Sequence, residues 1–92
     1  MRLTWDPAKN ERNVADRGLP FSLAEALDWS SASVAEDTRR QYPERRYQAL
    51  GFIGEDLHML VFAPRDGVLH VISLRRANKR ERTRYGNAQT RP

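Results

Sequence analysis

Apolar positions are sparse over the first third of the chain and dense over its second half, and their rhythm changes with them. Leu3 and Trp5 alternate with polar neighbours, the period of a short strand. Asp6-Pro7 then opens a helix, because Asp accepts from first-turn amides and Pro is pre-set for the first helical position. The helix runs through AKNERNVADR and stops at Gly18, a residue suited to a left-handed cap. Its apolar face is thin, made of Ala8, Val14 and Ala15, so it should need tertiary support. After Pro20-Phe21, Ser22 and Glu25 have the spacing of a capping box. They predict a second short helix through Leu23, Ala26 and Leu27, with Trp29 packed beneath it.

From Ser33 onward the spacing is that of strands, over residues 33–38, 45–53, 57–63 and 68–74. Gly54-Glu55-Asp56 makes one turn, and Pro64-Arg65-Asp66-Gly67 makes another of hairpin type. Such short connections predict an antiparallel sheet. LHMLVFA and VLHVISL are apolar on both faces, which places them centrally and under cover on both sides. Strand parity puts Leu69, Val71, Ser73 and Arg75 on one face and His70, Ile72 and Leu74 on the other. By the same rule Arg46 and Gln48 point away from Arg45 and Tyr47. Residues 76–85 predict a last helix with Arg76, Arg80 and Arg84 along one stripe. Tyr85 lies beside that stripe, placed to stack on a base or to pack on the sheet, with packing favoured. Residues 86–92 read as a frayed tail. The order β-α-α-β-β-β-β-α predicts an α+β fold, with two N-terminal helices and one C-terminal helix packed on an antiparallel sheet. At 92 residues the chain holds one domain, residues 1–92, with one modest core.

Charge sharpens this picture. Residues 1–44 hold 6 Lys or Arg against 8 Asp or Glu, whereas residues 45–92 hold 10 against 4. The excess is concentrated in VISLRRANKRERTRY, where an apolar strand runs into a basic helix. Such a surface attracts phosphate backbones, anionic lipid or an acidic partner. There is no cysteine, so disulfides and thiolate metal sites are excluded and a reducing cytoplasm is expected. No apolar run approaches the ~18 residues of a membrane span. MRLTWDP lacks the apolar stretch of a signal peptide.

The chemistry-bearing inventory is narrow. His58 and His70 stand alone, without metal-ligand spacing. No GxSxG, P-loop or GxGxxG is present. What remains is Lys9, Glu44, Arg45, Arg46, Arg75, Arg76 and the terminal helix. Arg suits phosphate because its planar fork bonds two oxygens at once. Arg75 and Arg76 sit where a buried strand ends, a rigid mount for stabilising charge on a pentavalent phosphorane. The structural readings compete residue by residue: Lys9 as a solvated first-turn residue, Glu44 as the ion-pair partner of Arg46, His70 as a satisfied core histidine.

Three stretches, in order, resemble one family. WDPAKNERNVADRGLPF is similar to the opening of the BrnT toxins, Glu44-Arg45-Arg46-Tyr47 with Ala49 and Gly51 to their ERFxAxG strand, and HVISLRRANKRERTRY to their RIISARRAT ending. The resemblance spans residues 3 to 85. It implies a ribonuclease toxin of a bacterial type II toxin–antitoxin pair, with a RelE-like fold. It also implies a BrnA-type antitoxin as partner, in a dimeric or tetrameric complex, and no cofactor. Lys9, Glu44, Arg46, Arg75 and Arg76 match polar positions of the pattern and are the catalytic candidates. Arg17, Arg45, Lys79, Arg80 and Tyr85 are the candidates for contacting RNA. Arg17 stands where the family has His, and His70 where it has Arg. The chemistry implied is metal-free: the ribose 2′-hydroxyl attacks the adjacent phosphate, a base takes its proton, and cations stabilise the phosphorane. Lys9, crowded by arginines, is one candidate base, since like charge disfavours its protonated form. Glu44 and His70 are the others. A non-catalytic module that uses the basic face to hold nucleic acid or a protein partner is the competing reading.

Overall fold

The computed structural model describes the backbone of residues 1–90 and the side chains of residues 1–87. Its elements are β1 (Leu3–Trp5), α1 (Pro7–Arg17), a 3-10 helix (Phe21–Ala26), β2 (Ser33–Glu36), β3 (Tyr47–Ile53), β4 (Asp56–Arg65), β5 (Val68–Arg76) and α2 (Lys79–Thr90). One five-stranded sheet has the order β1-β5-β4-β3-β2. Strands β2 to β5 pair antiparallel as their short connections require. Strand β1 departs from the expected antiparallel sheet: it lies parallel to β5, with Leu3 opposite Leu69 and Trp5 opposite Val71. No turn joins these two strands, so no local connection dictates their direction.

Helix α1 starts and stops as its caps dictate. Asp6 Oδ1 accepts from the Ala8 amide at 2.9 Å, and Gly18 ends the helix at φ 69°. Its docking is not the expected apolar one. Ala8 and Ala15 are exposed, Val14 is 43% exposed, and the buried residue is Asn13. The Asn13 amide donates to the carbonyls of Leu19 at 2.7 Å and Leu74 at 2.9 Å. Strand β1 pairs with β5 only as far as Val71, so the Leu74 carbonyl would otherwise be buried without a donor. Asn10 Oδ1 accepts from the Phe21 amide at 2.8 Å. That bond replaces the expected capping box: Ser22 and Glu25 are exposed, Pro20 holds the cap position, and the element is a 3-10 turn instead of an α-helix.

The main core lies between this turn and one face of the sheet. Leu19, Phe21, Ala24 and Leu27 pack on Ala49, Leu60, Phe62, Val71 and Leu74, and Trp29 meets the Phe62 ring edge-on at 5.5 Å. A Cβ on Gly51 would lie 3.0 Å from Ala32 Cβ and 3.2 Å from Leu27 Cδ1. Small residues at 49 and 51 therefore let the turn approach the sheet. On the other face Leu50, Leu57, Met59, Ala77 and Tyr85 form a second cluster under α2. Strand β4 is covered on both sides, as its unbroken apolar run requires.

Element ends shift by a few residues. Strand β5 continues through Arg76, so the expected stripe of Arg76, Arg80 and Arg84 is split between a strand and a helix. Strand β2 ends at Glu36 and β3 begins at Tyr47. The backbone of α2 continues to Thr90 through part of the expected tail, whose residues 91 and 92 lie outside those described.

Asn13→Ala strands a buried carbonyl and loosens α1. It is expected to cost about 2 kcal/mol in urea unfolding, a fall of roughly 10 °C in Tm for a domain of this size. Val14→Ala on the same helix should stay within about 0.5 kcal/mol of wild type.

Candidate functional site

The pairing of β4 with β5 contains one irregularity. Val61 faces Ser73 and Phe62 faces Val71, so Ile72 is an extra residue in β5. The extra residue advances the alternation by one step beyond it. Val71 and Leu74 consequently both reach the main core. Ser73 and Arg75 join His70 on the opposite face, where strict parity had separated His70 from Arg75. Four pleat steps of about 3.3 Å separate the Cα atoms of His70 and Arg75, roughly 13 Å along one strand face. Arg76, opposite His58, alternates to the other side; it is exposed, with its guanidinium 3.9 Å from Asp56.

His70 is half-buried and held from the edge of the sheet. The β1–β5 register sets Thr4 opposite His70, and Thr4 Oγ1 lies 2.9 Å from the ring Nδ1. Burial pushes this imidazole below its ordinary value, aided by Arg65 and more weakly by Lys9. Glu44 and Asp6 pull the other way. Glu44 forms a two-pronged pair with Arg65, its Oε2 2.9 Å from Arg65 Nε. Its partner is thus Arg65, not Arg46, and that pair holds the Glu44 carboxyl below its usual range. His58 is a different case: it is buried, and its Nδ1–H donates to the Asp56 carbonyl at 2.8 Å.

Arg75 is aligned by α2. Both its terminal nitrogens donate to Glu81, each at 2.8 Å. Glu81 also accepts from the Asn78 amide at 3.0 Å, and Asn78 Oδ1 accepts from the Glu81 amide at 2.8 Å. This capping box starts α2 and ties it to the sheet. Arg75 is the main reason that the Glu81 carboxyl is held low.

Between β2 and β3 the chain forms an open groove of ≈ 740 Å³ lined by residues 36–46. Asp37, buried at its base, takes a two-pronged bond from Arg39, 2.8 Å at each oxygen, and a longer one from the Tyr42 hydroxyl. Tyr42 is therefore half-buried beneath the groove. The Arg46 guanidinium sits 4.2 Å over the Tyr42 ring, and its buried Nε has no hydrogen-bond partner. Arg39 is near enough for its charge to be felt at Arg75, yet the groove that Arg46 lines does not include Arg75. A smaller recess, of ≈ 200 Å³, gathers Lys9, Arg12, Asn13, Asp16 and Arg17 against Ile72 and Ser73. There Arg17 donates to Asn13 Oδ1 at 3.0 Å.

The family model described as "Ribonuclease toxin, BrnT, of type II toxin-antitoxin system" matches residues 5–81. The chain belongs to the BrnT toxin family. No curated protein matches it significantly. The BrnT match covers the whole sheet after the first residues of β1 and ends at Glu81, the residue that clamps Arg75.

Within this BrnT chain the sequence-derived candidates fall into separate settings. Lys9 and Arg17 share the recess beside β5, Glu44 lies with His70, and Arg46 stacks on Tyr42. Arg45, Lys79 and Arg80 are exposed, Arg45 lying 4.0 Å from Glu36. Tyr85 is not available to stack on a base: it is buried, meets Phe52 edge-on at 5.6 Å, and donates from its hydroxyl to the Ser31 carbonyl at 2.9 Å. Arg12, Asp37, Arg39, Arg65 and Glu81 escaped the sequence reading. Glu81 carried a local signal, the Asn-x-x-Glu spacing at 78–81, and Asp37 and Arg39 bond each other across two residues. Arg12 and Arg65 depend on contacts that no spacing encodes.

Asp37 titrates at about 2 in the folded chain against an ordinary 3.8, chiefly because Arg39 bonds it. A lowered carboxyl contributes stability that is complete above the unfolded value and lost as pH falls through the folded one. Urea unfolding of wild type should therefore weaken as pH drops from about 4 to about 2. Asp37→Asn should lose most of its share of that dependence, leaving the parts that Glu81, Glu44 and Asp28 contribute in the same direction.

Proposed function

We propose that this chain is a metal-independent endoribonuclease, RelE-like in fold, neutralised in the cytoplasm by a BrnA-type antitoxin. The observation that carries the reading is the polar line His70, Ser73 and Arg75 on one face of β5, a product of the extra residue Ile72. The surrounding cations suit a polyanion. Lys9 and Arg17 flank this strand, and Arg39, Arg40, Arg45 and Arg46 ring the neighbouring groove. In this mechanism the 2′-hydroxyl attacks the adjacent phosphorus, and the 5′-oxygen leaves behind a cyclic phosphate. Arg75, oriented by Glu81, keeps guanidinium donors beyond the two that Glu81 takes, and these stabilise the phosphorane. Arg46 and Lys9 carry further positive charge to the phosphodiester, and Glu44 orders Arg65 beside it. Arg76, Arg45, Lys79 and Arg80 draw in the RNA backbone, a salt-dependent contribution.

An antitoxin finds two features to cover. Strand β2 is an edge strand exposed along its whole length, including Val34 at 48%. The basic surface needs neutralising. Binding there places the two chains in a hetero-oligomer, dimeric or tetrameric.

The non-catalytic reading draws on one observation: Arg75, Arg65 and Arg39 are each already paired with a carboxylate. A single assay separates the two. Purified, folded, antitoxin-free protein is mixed with RNA in EDTA, and fragments ending in cyclic phosphate are expected. Their absence removes the enzyme. Arg46→Ala combined with Arg75→Ala should lower kcat by about 100-fold or more, and an unchanged rate removes the assignment of these two residues. The co-purified antitoxin complex should cleave far more slowly than free toxin.

A further inference from the structure

We propose that His70 is the proton acceptor for the ribose 2′-hydroxyl and that Thr4 positions its ring. The proposal rests on the ribonuclease reading and assigns the group that the reading leaves open.

Placement comes first. The extra residue at Ile72 sets His70 on the same strand face as Arg75, the cation best mounted to meet a phosphorane. A bulge that re-aims a side chain is a recurrent feature beside reactive sites. Anchoring comes second. The parallel pairing of β1 with β5 delivers Thr4 Oγ1 to the ring Nδ1 at 2.9 Å. With Nδ1–H donating to Thr4, the lone pair is left on Nε2. Surroundings come third. Arg65 from β4, Glu44 from the β2–β3 connection, Lys9 from α1 and Asp6 before α1 act on the ring, two cations against two carboxylates. Burial decides in favour of the neutral imidazole, the form that accepts a proton near neutral pH.

The rival bases are bonded elsewhere or exposed to solvent. Both Glu44 oxygens are taken by Arg65. His58 is buried and bonded to the Asp56 carbonyl. Lys9 is an exposed residue of α1 in a recess with two arginines.

In the step, the 2′-O–H bond breaks and its proton passes to Nε2, while the oxygen's electron pair forms the bond to phosphorus. The P–O5′ bond then breaks. The 5′-oxygen leaves with a proton from water, and the imidazolium returns its proton to the hydroxide so formed.

The test is single-turnover cleavage of an RNA oligonucleotide across pH, together with RNA binding and an NMR titration of the His70 ring. His70→Ala should lower kcat by about 100-fold or more with RNA affinity unchanged, and added imidazole should restore part of the rate. His70→Gln, which keeps much of the volume and a polar contact to Thr4 but cannot take up the proton, should be as slow while unfolding like wild type. The acid limb of the wild-type profile should coincide with the titration of the ring. It should move up in pH in Arg65→Gln, which loses a cation, and down in Glu44→Gln, which loses a carboxylate. Thr4→Val should lower kcat with KM unchanged, and Thr4→Ser should recover it. Active wild type with an equally active His70→Ala, or an acid limb indifferent to these charges, overturns the assignment. Wild type that binds RNA and never cuts it overturns the ribonuclease reading instead, and the assignment with it.

Discussion

A single supernumerary residue in β5 organises both faces of this sheet. Without Ile72 as an extra position, Val71 and Leu74 would point to opposite sides, and one of them would leave the core in which both are fully buried. The burial of Leu74 opposite Leu60 and of Val71 opposite Phe62 locks the register on the two sides of the irregularity. The polar outcome follows from the apolar one. Once Val71 and Leu74 are both inward, His70, Ser73 and Arg75 have no option but the opposite face.

Around that face and beyond it the chain couples its excess of positive charge to a few well-placed acids. Arg75 is held by Glu81, Arg65 by Glu44 and Arg39 by Asp37, while Arg76, Lys79 and Arg80 have little or no restraint. Partly exposed pairs of this kind add little to stability. Their effect is geometric: each fixes the orientation of a planar fork, which lowers the entropy lost when it meets a phosphate. The unrestrained cations serve the longer-range field, which needs charge but no geometry.

The remainder of the small domain is held with few apolar contacts to spare. Helix α1 docks through Asn10 and Asn13, whose amide groups serve the backbone of Phe21, Leu19 and Leu74. A helix fastened by hydrogen bonds to a strand edge keeps its outer side free. Arg17, bonded to Asn13, and Lys9 are thereby fixed close to β5. The parallel strand β1 has a similar double use, closing the sheet and supplying Thr4 to His70.

Local chemistry by itself determined much of this protein. The Asp6-Pro7 start and Gly18 stop of α1, turns at Gly54-Glu55 and Asp66-Gly67 within the expected stretches, the antiparallel run from β2 to β5 and the central, doubly covered β4 all follow from short-range rules acting on neighbouring residues. The three quoted stretches sufficed for the BrnT family. Tertiary structure decided the rest, because each outcome depended on residues far apart in sequence. The parallel seat of β1 was set by no turn. The polar docking of α1 required the free carbonyl of Leu74, sixty-one positions away from Asn13. Tyr85 became a core residue because Phe52 and Ser31 meet it there. The shared face of His70 and Arg75 was beyond strand parity, since an extra residue is visible only when the partner strand shows which position lacks a mate.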